Sequence, residues 1–351
     1  MSATPTWPAL LTRLLERQDL SIAESSWAME QVMAGEATPV QLAGFLVALR
    51  AKGETIDEIV GFRDAALAHA LPVGIPAMVL DIVGTGGDPY GAVVNVSSVA
   101  SIVAAAAGVP VAKHGNRAAS SASGASDVLG ALGIALDLEP DRLARVFDEV
   151  GLTYLNAAVL HPGFRHAGAA RRELGVSTLF NVLGPLVNPA RPEASAVGVA
   201  SLERVPLIVG VFRTRGATAL VYRGDDGIDK LTTTGHSHVW EVSRGAVTEH
   251  DIDPRDLGIA YSSIADILGE GPEHNAAIAR RVLVGEPGAV RDIVLLNAAA
   301  GLVSWRLAQD PAQVSRPLVE RLREQMAVAA ESIDSGAAAG KLAAWAAATQ
   351  R

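Results

Sequence analysis

Two glycine-rich turns lie between residues 81 and 127, and each is followed by a segment of helical character. The first turn, residues 84–88 (GTGGD), follows a β-branched run and precedes residues 95–98 (NVSS). A strand, a loop that lets the backbone approach a ligand, and a helix N-terminus carrying hydroxyls together bind anions through N–H groups and the helix dipole. The first turn therefore predicts a phosphate site.

The second turn, residues 113–117 (KHGNR), adds two cations and is followed by a cluster of serines. A single glycine-rich turn often serves only to connect a strand to a helix. The dense cationic run favours phosphate binding over that interpretation. Neither turn has the G-x-G-x-x-G spacing of dinucleotide sites or the G-x-x-x-x-G-K-[ST] spacing of a P-loop. The pair predicts a ligand with two separated phosphate groups.

Several segments resemble one enzyme family, in the same order along the chain. Besides the two turns they are His161-Pro162, residues 171–175 (RRELG), residues 180–189 (FNVLGPLVNP) and the N-terminal residues 41–55 (QLAGFLVALRAKGET). Together they resemble the anthranilate phosphoribosyltransferases over nearly the whole chain. The resemblance implies a pentosyltransferase, a glycosyltransferase of tryptophan biosynthesis. It would move 5-phosphoribosyl from phosphoribosyl pyrophosphate to the amine of anthranilate, giving N-(5-phosphoribosyl)anthranilate and pyrophosphate.

The resemblance also implies site residues, none of them a nucleophile. Donor binding falls to Gly84, Gly87, Asp88, Asn95, Val96, Ser97, Ser98, Lys113, His114, Gly115, Asn116, Arg117, Ala118, Ala119, Ser120, Ser121 and Ala125. Acceptor binding falls to Gly84, Asn116, His161, Arg171, Gly184 and Pro185. Arg171 is assigned to the anthranilate carboxylate, since the planar guanidinium matches a carboxylate.

The same resemblance implies Mg²⁺, one ion or two, with Ser97 and Asp229 as ligands. Where the family usually has an adjacent Asp and Glu, this chain has Asp229-Lys230. Magnesium takes hard oxygen ligands, so Lys230 cannot coordinate it, and Asp225 or Asp226 are possible substitutes. Two interpretations stay open. In the first, Lys230 points away or one metal suffices. In the second, Lys230 replaces a metal by contacting pyrophosphate directly.

The elements that position these residues follow two patterns. Up to residue 71 the pattern predicts four helices, with Ser21 and Glu24 as a capping box and with Thr38 and Thr55 as caps. From Val79 onward, β-branched runs alternate with helical segments, which predicts a mostly parallel sheet flanked by helices. We place strands at 79–83, 110–113, 153–155, 196–199 and 219–222, and a final helix at 336–349.

The predicted fold is α/β, of the nucleoside phosphorylase/phosphoribosyltransferase type. It comprises a small helical domain, residues 1–72, and a larger α/β domain, residues 73–351. The resemblance implies that residues 165–185 pack back onto the helical domain and that the cleft lies between the domains. It also implies a homodimer in which two chains associate through the helical domain.

Composition limits the alternatives. The chain of 351 residues is 49% hydrophobic and has no cysteine, so it forms neither disulfides nor thiolate metal sites. A net charge of -9 argues against a nucleic-acid partner. The longest apolar run, residues 99–112, is too short and interrupted to span a membrane, so we expect a cytoplasmic enzyme without a membrane partner.

Two alternatives remain beside the main prediction. Asn156 stands where the family has an apolar aromatic residue, and together with Lys230 it suggests a paralogue that uses a different aromatic acceptor. The altered metal pair also suggests a non-catalytic paralogue that binds another anion or nucleic acid.

Overall fold

The computed structural model of the chain describes residues 4–116 and 123–351. It begins with four helices: α1 (Trp7–Leu15), α2 (Ile22–Ala34), α3 (Pro39–Lys52) and α4 (Ile56–Ala68). Ser21, Thr38 and Thr55 each cap the following helix in a reciprocal capping box. The predicted four helices and their caps are therefore confirmed.

These helices bury an aromatic centre. Trp7 and Phe45 lie with ring centroids 5.5 Å apart, and Phe45 meets Phe62 edge to face at 6.0 Å. Gly61 lets α4 approach α2, because a Cβ there would lie 2.4 Å from the Ile22 carbonyl oxygen. The bundle thus has its own close-packed contacts.

The rest of the described chain is built on one sheet. Its strands are β1 (Leu80–Gly84), β2 (Val111–Gly115), β3 (Leu152–Asn156), β4 (Ala194–Gly198), β5 (Thr218–Gly224), β6 (Ser237–Ser243) and β7 (Ala246–Ile252). Their order is β3-β2-β1-β4-β5-β6-β7. The pairs from β3 to β5 are parallel, and β6 and β7 add an antiparallel hairpin at one edge. The mostly parallel sheet is confirmed, whereas the hairpin was not predicted.

Helices cover both faces of the sheet. They are α5 (Val96–Ala106), α6 (Ala125–Ala131), α7 (Pro140–Val150), α8 (Ala157–Leu160), α9 (Gly168–Leu174), α10 (Phe180–Leu183), α11 (Val205–Arg215), α12 (Ile264–Ile267), α13 (Pro272–Leu283), α14 (Ala289–Gln309), α15 (Leu318–Asp334) and α16 (Ala337–Gln350). Ile82 packs in the core with α5 and α14, while the next residue, Val83, packs in the core shared with the helical bundle. This alternation follows from the two-residue period of a strand.

The topology places the two glycine turns side by side. The chain passes from β1 to β2 on one side and returns to pair β4 with β1 on the other, so the strand order reverses at β1. In open α/β sheets, ligands bind at the carboxyl ends of the strands at such a point. Both turns leave these ends, and α9 packs on α3 across from them. Within the described ranges, no helix combines the length and apolar character that a membrane span requires.

Candidate active site

A cleft of about 330 Å³ lies at the carboxyl ends of β1 and β2, facing α9 and α10. Both glycine turns contribute to its wall. The predicted site residues that line it are Gly84, Gly87, Asp88, Asn95, Val96, Ser97, Lys113, His114, Gly115, Asn116, Ala125, Arg171, Gly184 and Asp229. Residues predicted separately for the donor, acceptor and metal thus share one cavity.

Other predicted residues lie elsewhere. Ser98 is buried within α5, and Pro185 is buried in the 3-10 turn that follows α10. His161 is buried, with its Nε2 2.8 Å from the Val187 carbonyl oxygen. None of these three lines the cleft. The predictions for Arg117, Ala118, Ala119, Ser120 and Ser121 fall outside the described residues.

The first turn is held open by the protein. Gly86 and Gly87 have φ angles of 69° and 80°, in the left-handed region that glycine adopts without strain. The Gly86 N–H donates to Asp229 Oδ2 at 2.8 Å, and the Thr85 N–H donates to the Gly198 carbonyl at 2.9 Å. Contacts within the protein therefore set the shape of the turn.

Two glycines at strand ends make room for Asp229. A Cβ on Gly84 would lie 2.1 Å from Asp229 Oδ2, and a Cβ on Gly198 would lie 1.7 Å from the Asp229 carbonyl oxygen. Sequence analysis identified Gly84 but not Gly198. The contact joins distant parts of the chain, so no local pattern signals it.

Lys113 connects the two turns through its side chain. It is only 1% exposed, and its Nζ donates to the Ile82 carbonyl at 2.6 Å and to Ser97 Oγ at 3.2 Å. Burial lowers the pKa of Lys113 to about 8, although the charges of Asp81 and Asp229 act to raise it. The lysine thus fixes a positive group between β1, β2 and the first turn of α5.

Asp81 supports this arrangement from behind the cleft. Its Oδ1 accepts the His114 N–H at 3.1 Å, and its Oδ2 accepts from Asn188 Nδ2 at 2.9 Å. Burial raises the pKa of Asp81 to about 6 against the opposing charge of Lys113. Asp81 and Asn188 were missed as supporting residues; the signal available was an acidic residue inside an apolar strand.

Arg171 lines the cleft from α9. Its guanidinium carbon lies 4.9 Å from the centroid of the Phe180 ring, and the rings of Phe180 and Phe164 meet edge to face at 5.8 Å. Burial lowers the pKa of Arg171 from its ordinary value. No acidic side chain in the described parts of the chain forms an ion pair with it. An oriented cation beside aromatic rings suits an aromatic carboxylate.

His114 is neutral in the cleft wall. Its Nδ1 lies 3.1 Å from the Gly184 carbonyl oxygen, which can only accept, so Nδ1 carries the proton and Nε2 does not. Burial lowers the pKa of His114 to about 3, with His161 contributing in the same direction. His161 lies 5.5 Å from His114 and stacks on Phe164 at 5.0 Å.

The metal prediction can be tested against the local oxygens. Asp229 Oδ1 lies 2.5 Å from Lys230 Nζ, and Ser97 Oγ accepts from Lys113. Across residues 4–116 and 123–351, no group of three His, Cys, Asp or Glu side chains converges as a metal site. The donors present fit a Mg²⁺ that takes most of its ligands from phosphate and water, as Mg²⁺ commonly does.

The aspartates proposed as substitutes are used elsewhere. Asp226 Oδ2 accepts from the hydroxyls of Thr232 and Thr234, both at 2.6 Å, and Asp225 lies 3.5 Å from His238 on the hairpin. Neither lines the cleft. These contacts shape the turn that carries Asp229 and Lys230.

Asn156 has a local structural use. It is the N-cap of α8, where its Oδ1 accepts the Ala158 N–H at 3.2 Å and its Nδ2 donates to the Leu136 carbonyl at 3.3 Å. It does not line the cleft. The argument from Asn156 for a different acceptor is therefore removed.

Comparison with known proteins first defines a class. Residues 8–70 match the helical bundle domain of the glycosyl transferase family, and residues 77–339 match its a/b domain. The fold is thus that of a two-domain glycosyltransferase.

Individual relatives are more specific. The chain is 71% identical over 350 residues to the anthranilate phosphoribosyltransferase of Clavibacter michiganensis subsp. michiganensis, with 100% of both chains covered. The crystal structure of the Thermus thermophilus enzyme of that name is 39% identical, covers 97% of this chain and 99% of its own, and superposes with a TM-score of 0.88. The Saccharomyces cerevisiae enzyme in complex with phosphoribosyl pyrophosphate and Mg is 27% identical, with 98% of each chain covered and a TM-score of 0.87. This chain belongs to the anthranilate phosphoribosyltransferase family.

Proposed function

We propose that the chain transfers 5-phosphoribosyl from phosphoribosyl pyrophosphate to the amine of anthranilate, with N-(5-phosphoribosyl)anthranilate and pyrophosphate as products. The observation that carries the proposal is the composition of one cleft. Residues of both glycine turns, Lys113 among them, line it at the ends of β1 and β2, and Arg171 lines it from α9 beside Phe180. These groups suit a donor with two phosphate groups and an aromatic carboxylate.

The donor side acts by electrostatic stabilisation. Displacement at the sugar carbon builds positive charge on the ring and negative charge on the departing diphosphate, so groups that stabilise the diphosphate lower the barrier. We assign that task to the N–H groups of the first turn with Asn95 and Ser97, and the rest of the donor to the second turn. Asp88 supports donor binding by shaping the loop, since its Oδ1 accepts the Tyr90 and Gly91 N–H groups. Each charge-assisted hydrogen bond contributes about 1.5–3 kcal/mol. No nucleophilic side chain is required.

The acceptor side orients the amine. Arg171 would bind the anthranilate carboxylate, while Phe164 and Phe180 border the aromatic ring. His114, whose unprotonated Nε2 is buried, forms part of the same wall. We further assign Asn116, Gly184, His161 and Pro185 to this pocket; the last two lie behind its wall and support it.

We propose that Ser97 and Asp229 hold Mg²⁺ when the donor is bound. The ion would supply charge neutralisation on the diphosphate, and the S. cerevisiae relative in complex with the donor and Mg supports its presence. The oxygen count around Asp229 favours one ion over two.

Anthranilate fluorescence tests the activity directly. The purified protein, mixed with anthranilate, phosphoribosyl pyrophosphate and Mg²⁺, should cause a loss of anthranilate fluorescence matched by release of pyrophosphate. Omission of the donor provides the control. Intact fluorescence in the complete mixture would contradict the proposal, and faster use of another aromatic amine would favour the alternative acceptor.

The domains and assembly are proposals of the same kind. We propose a helical domain of residues 1–72 and an α/β domain of residues 73–351, acting as a homodimer in the cytoplasm and without a nucleic-acid partner. Apolar Val40 and Leu15 are 83% and 77% exposed on the helical part. Val40→Asp should shift sedimentation towards the monomer. The matched change Val284→Asp, at a residue 72% exposed on the α/β part, should not.

A further inference from the structure

Lys230 is a charged residue of the cleft whose task the preceding assignments leave open. It lines the cleft next to Asp229, and its side chain is 12% exposed. Its Nζ lies 2.5 Å from Asp229 Oδ1. The other oxygen of Asp229 accepts the Gly86 N–H at 2.8 Å. The carboxylate therefore holds the ammonium against the first glycine turn.

The surroundings provide little for a second metal ion. Asp226 is engaged by two threonine hydroxyls, and Asp225 lies beside the hairpin outside the cleft. Asp88 Oδ1 accepts the backbone N–H groups of Tyr90 and Gly91 at 3.0 Å and 2.8 Å. A cation, the Lys230 ammonium, is already present beside the Asp229 carboxylate.

We propose that the Lys230 ammonium takes the place of a second divalent ion in binding the donor diphosphate, so that one Mg²⁺ is enough. The inference rests on the proposed function, and it names Lys230 as the residue that sets the number of metal ions required for donor binding. Asp229 and the Gly86 N–H pre-position the ammonium beside the turn that receives the diphosphate. When the donor binds, phosphate oxygens share the ammonium with Asp229. A lysine suits this task because it is a compact point charge on a flexible stem.

A purely structural role for Lys230 makes a different prediction. If the ammonium only neutralised Asp229, its removal would lower stability without altering how many metal ions bind with the donor. Direct binding separates the two cases. Calorimetry gives the dissociation constant of phosphoribosyl pyrophosphate at a series of free Mg²⁺ concentrations too low to saturate the donor in solution. The slope of the logarithm of the association constant against the logarithm of the free Mg²⁺ concentration gives the number of Mg²⁺ ions taken up when the donor binds.

Three variants sharpen the measurement. The unaltered protein should take up about one Mg²⁺ per donor, and Lys230→Glu should raise the slope to about two, since it supplies the second carboxylate that hard cations require. Lys230→Met should keep the slope near one while weakening donor binding about tenfold or more. Arg281→Met removes a cation that pairs with Glu286 outside the cleft and should change neither quantity. Thermal unfolding checks that each variant is folded.

The outcomes are distinct. A slope of about two for the unaltered protein, or equal slopes for it and folded Lys230→Glu, would overturn the inference because the ammonium would not be substituting for an ion. Unchanged donor affinity in Lys230→Met would do the same. Failure of the unaltered protein to bind the donor at any Mg²⁺ concentration would instead contradict the proposed function.

Discussion

The three cations in the described wall of the cleft differ in what holds them. Lys113 is buried and bonded to a backbone carbonyl and a serine, Lys230 is paired with a carboxylate, and Arg171 lies over an aromatic ring. Lys113 belongs to the second glycine turn, and Asp229 holds Lys230 beside the first, so both lie where phosphate charge is expected. Arg171 keeps its fork of N–H donors for a planar partner. The different surroundings explain why exchanging lysine and arginine here would not be conservative.

Arg171→Gln should separate acceptor binding from donor binding. We expect KM for anthranilate to rise about tenfold or more, because a charge-assisted pair with the carboxylate is lost, while donor affinity measured by calorimetry stays unchanged. The neighbouring Arg172 is exposed and does not line the cleft, so Arg172→Gln is the matched control. Equal KM values in the two variants would argue against the assigned role of Arg171.

His114 predicts a pH effect on stability. Burial lowers its pKa to about 3 from 6.5, so between these values the unfolded chain takes up a proton that the folded chain does not. Stability must therefore fall as pH drops below about 6.5. At pH 5 the loss should reach about 1–2 kcal/mol, and His114→Gln should remove it.

Urea unfolding of both proteins at pH 7 and pH 5 measures this difference. His161, whose pKa is also lowered by burial, remains in both and cancels in the comparison. An identical pH dependence of the two proteins would mean that His114 is protonated in the fold.

At the scale of elements, the parts foreseen from sequence are those governed by local rules. The helix starts at Ser21, Thr38 and Thr55 follow from capping residues, and the five parallel strands follow from β-branched runs. The β6–β7 hairpin was not predicted because β7 is mostly exposed and polar, so it lacks the apolar pattern of a buried strand. The sequence offered one signal for the hairpin, Gly245 in the turn between the two strands. In the structure Arg244 and Gly245 adopt φ angles of 49° and 79° there.

Contacts between distant elements were not predictable in the same way. Cleft residues within the glycine turns were recognisable because backbone approach requires glycine. The pairing of Asp81 with Asn188, and the fit of Gly198 against Asp229, depend on how strands and loops pack after folding. Nothing in the neighbouring residues encodes them. A single sequence therefore indicates the ligand-facing turns more readily than their supports.

Gly198→Ala tests one such support. The added Cβ would lie 1.7 Å from the Asp229 carbonyl oxygen, so the segment carrying Asp229 and Lys230 must move. We expect donor binding to weaken about tenfold or more, because positioned charge-assisted contacts are lost, and stability to fall. Gly235→Ala, at a position with nothing within 4 Å of the added atom, is the matched control. Calorimetry and thermal unfolding of both variants measure the effect, and a Gly198→Ala protein with full donor affinity would refute it.

At the scale of the whole molecule, the sheet lies between two apolar cores and the cleft opens where its strand order reverses. The antiparallel edge is tied to the C-terminal helices by Arg321 of α15, which makes two hydrogen bonds to Glu241 of β6 at 2.6 Å and 2.9 Å. His250 of β7 adds a third contact at 3.0 Å. Burial acts to raise the pKa of Glu241, but bonds from His250 and Arg321 outweigh it and lower that pKa.

Arg321→Met should therefore be strongly destabilising without entering the chemistry. Removing one partner leaves a buried, poorly compensated carboxylate, at a cost of about 3–5 kcal/mol. The double variant Glu241→Leu with Arg321→Met removes both charges and should recover much of that loss. Arg316→Met breaks an exposed pair with Glu324 and should cost less than about 1 kcal/mol. Urea unfolding of the four proteins gives these differences. Equal costs for Arg321→Met and Arg316→Met would show that the buried pair does not hold the hairpin edge to the helical layer.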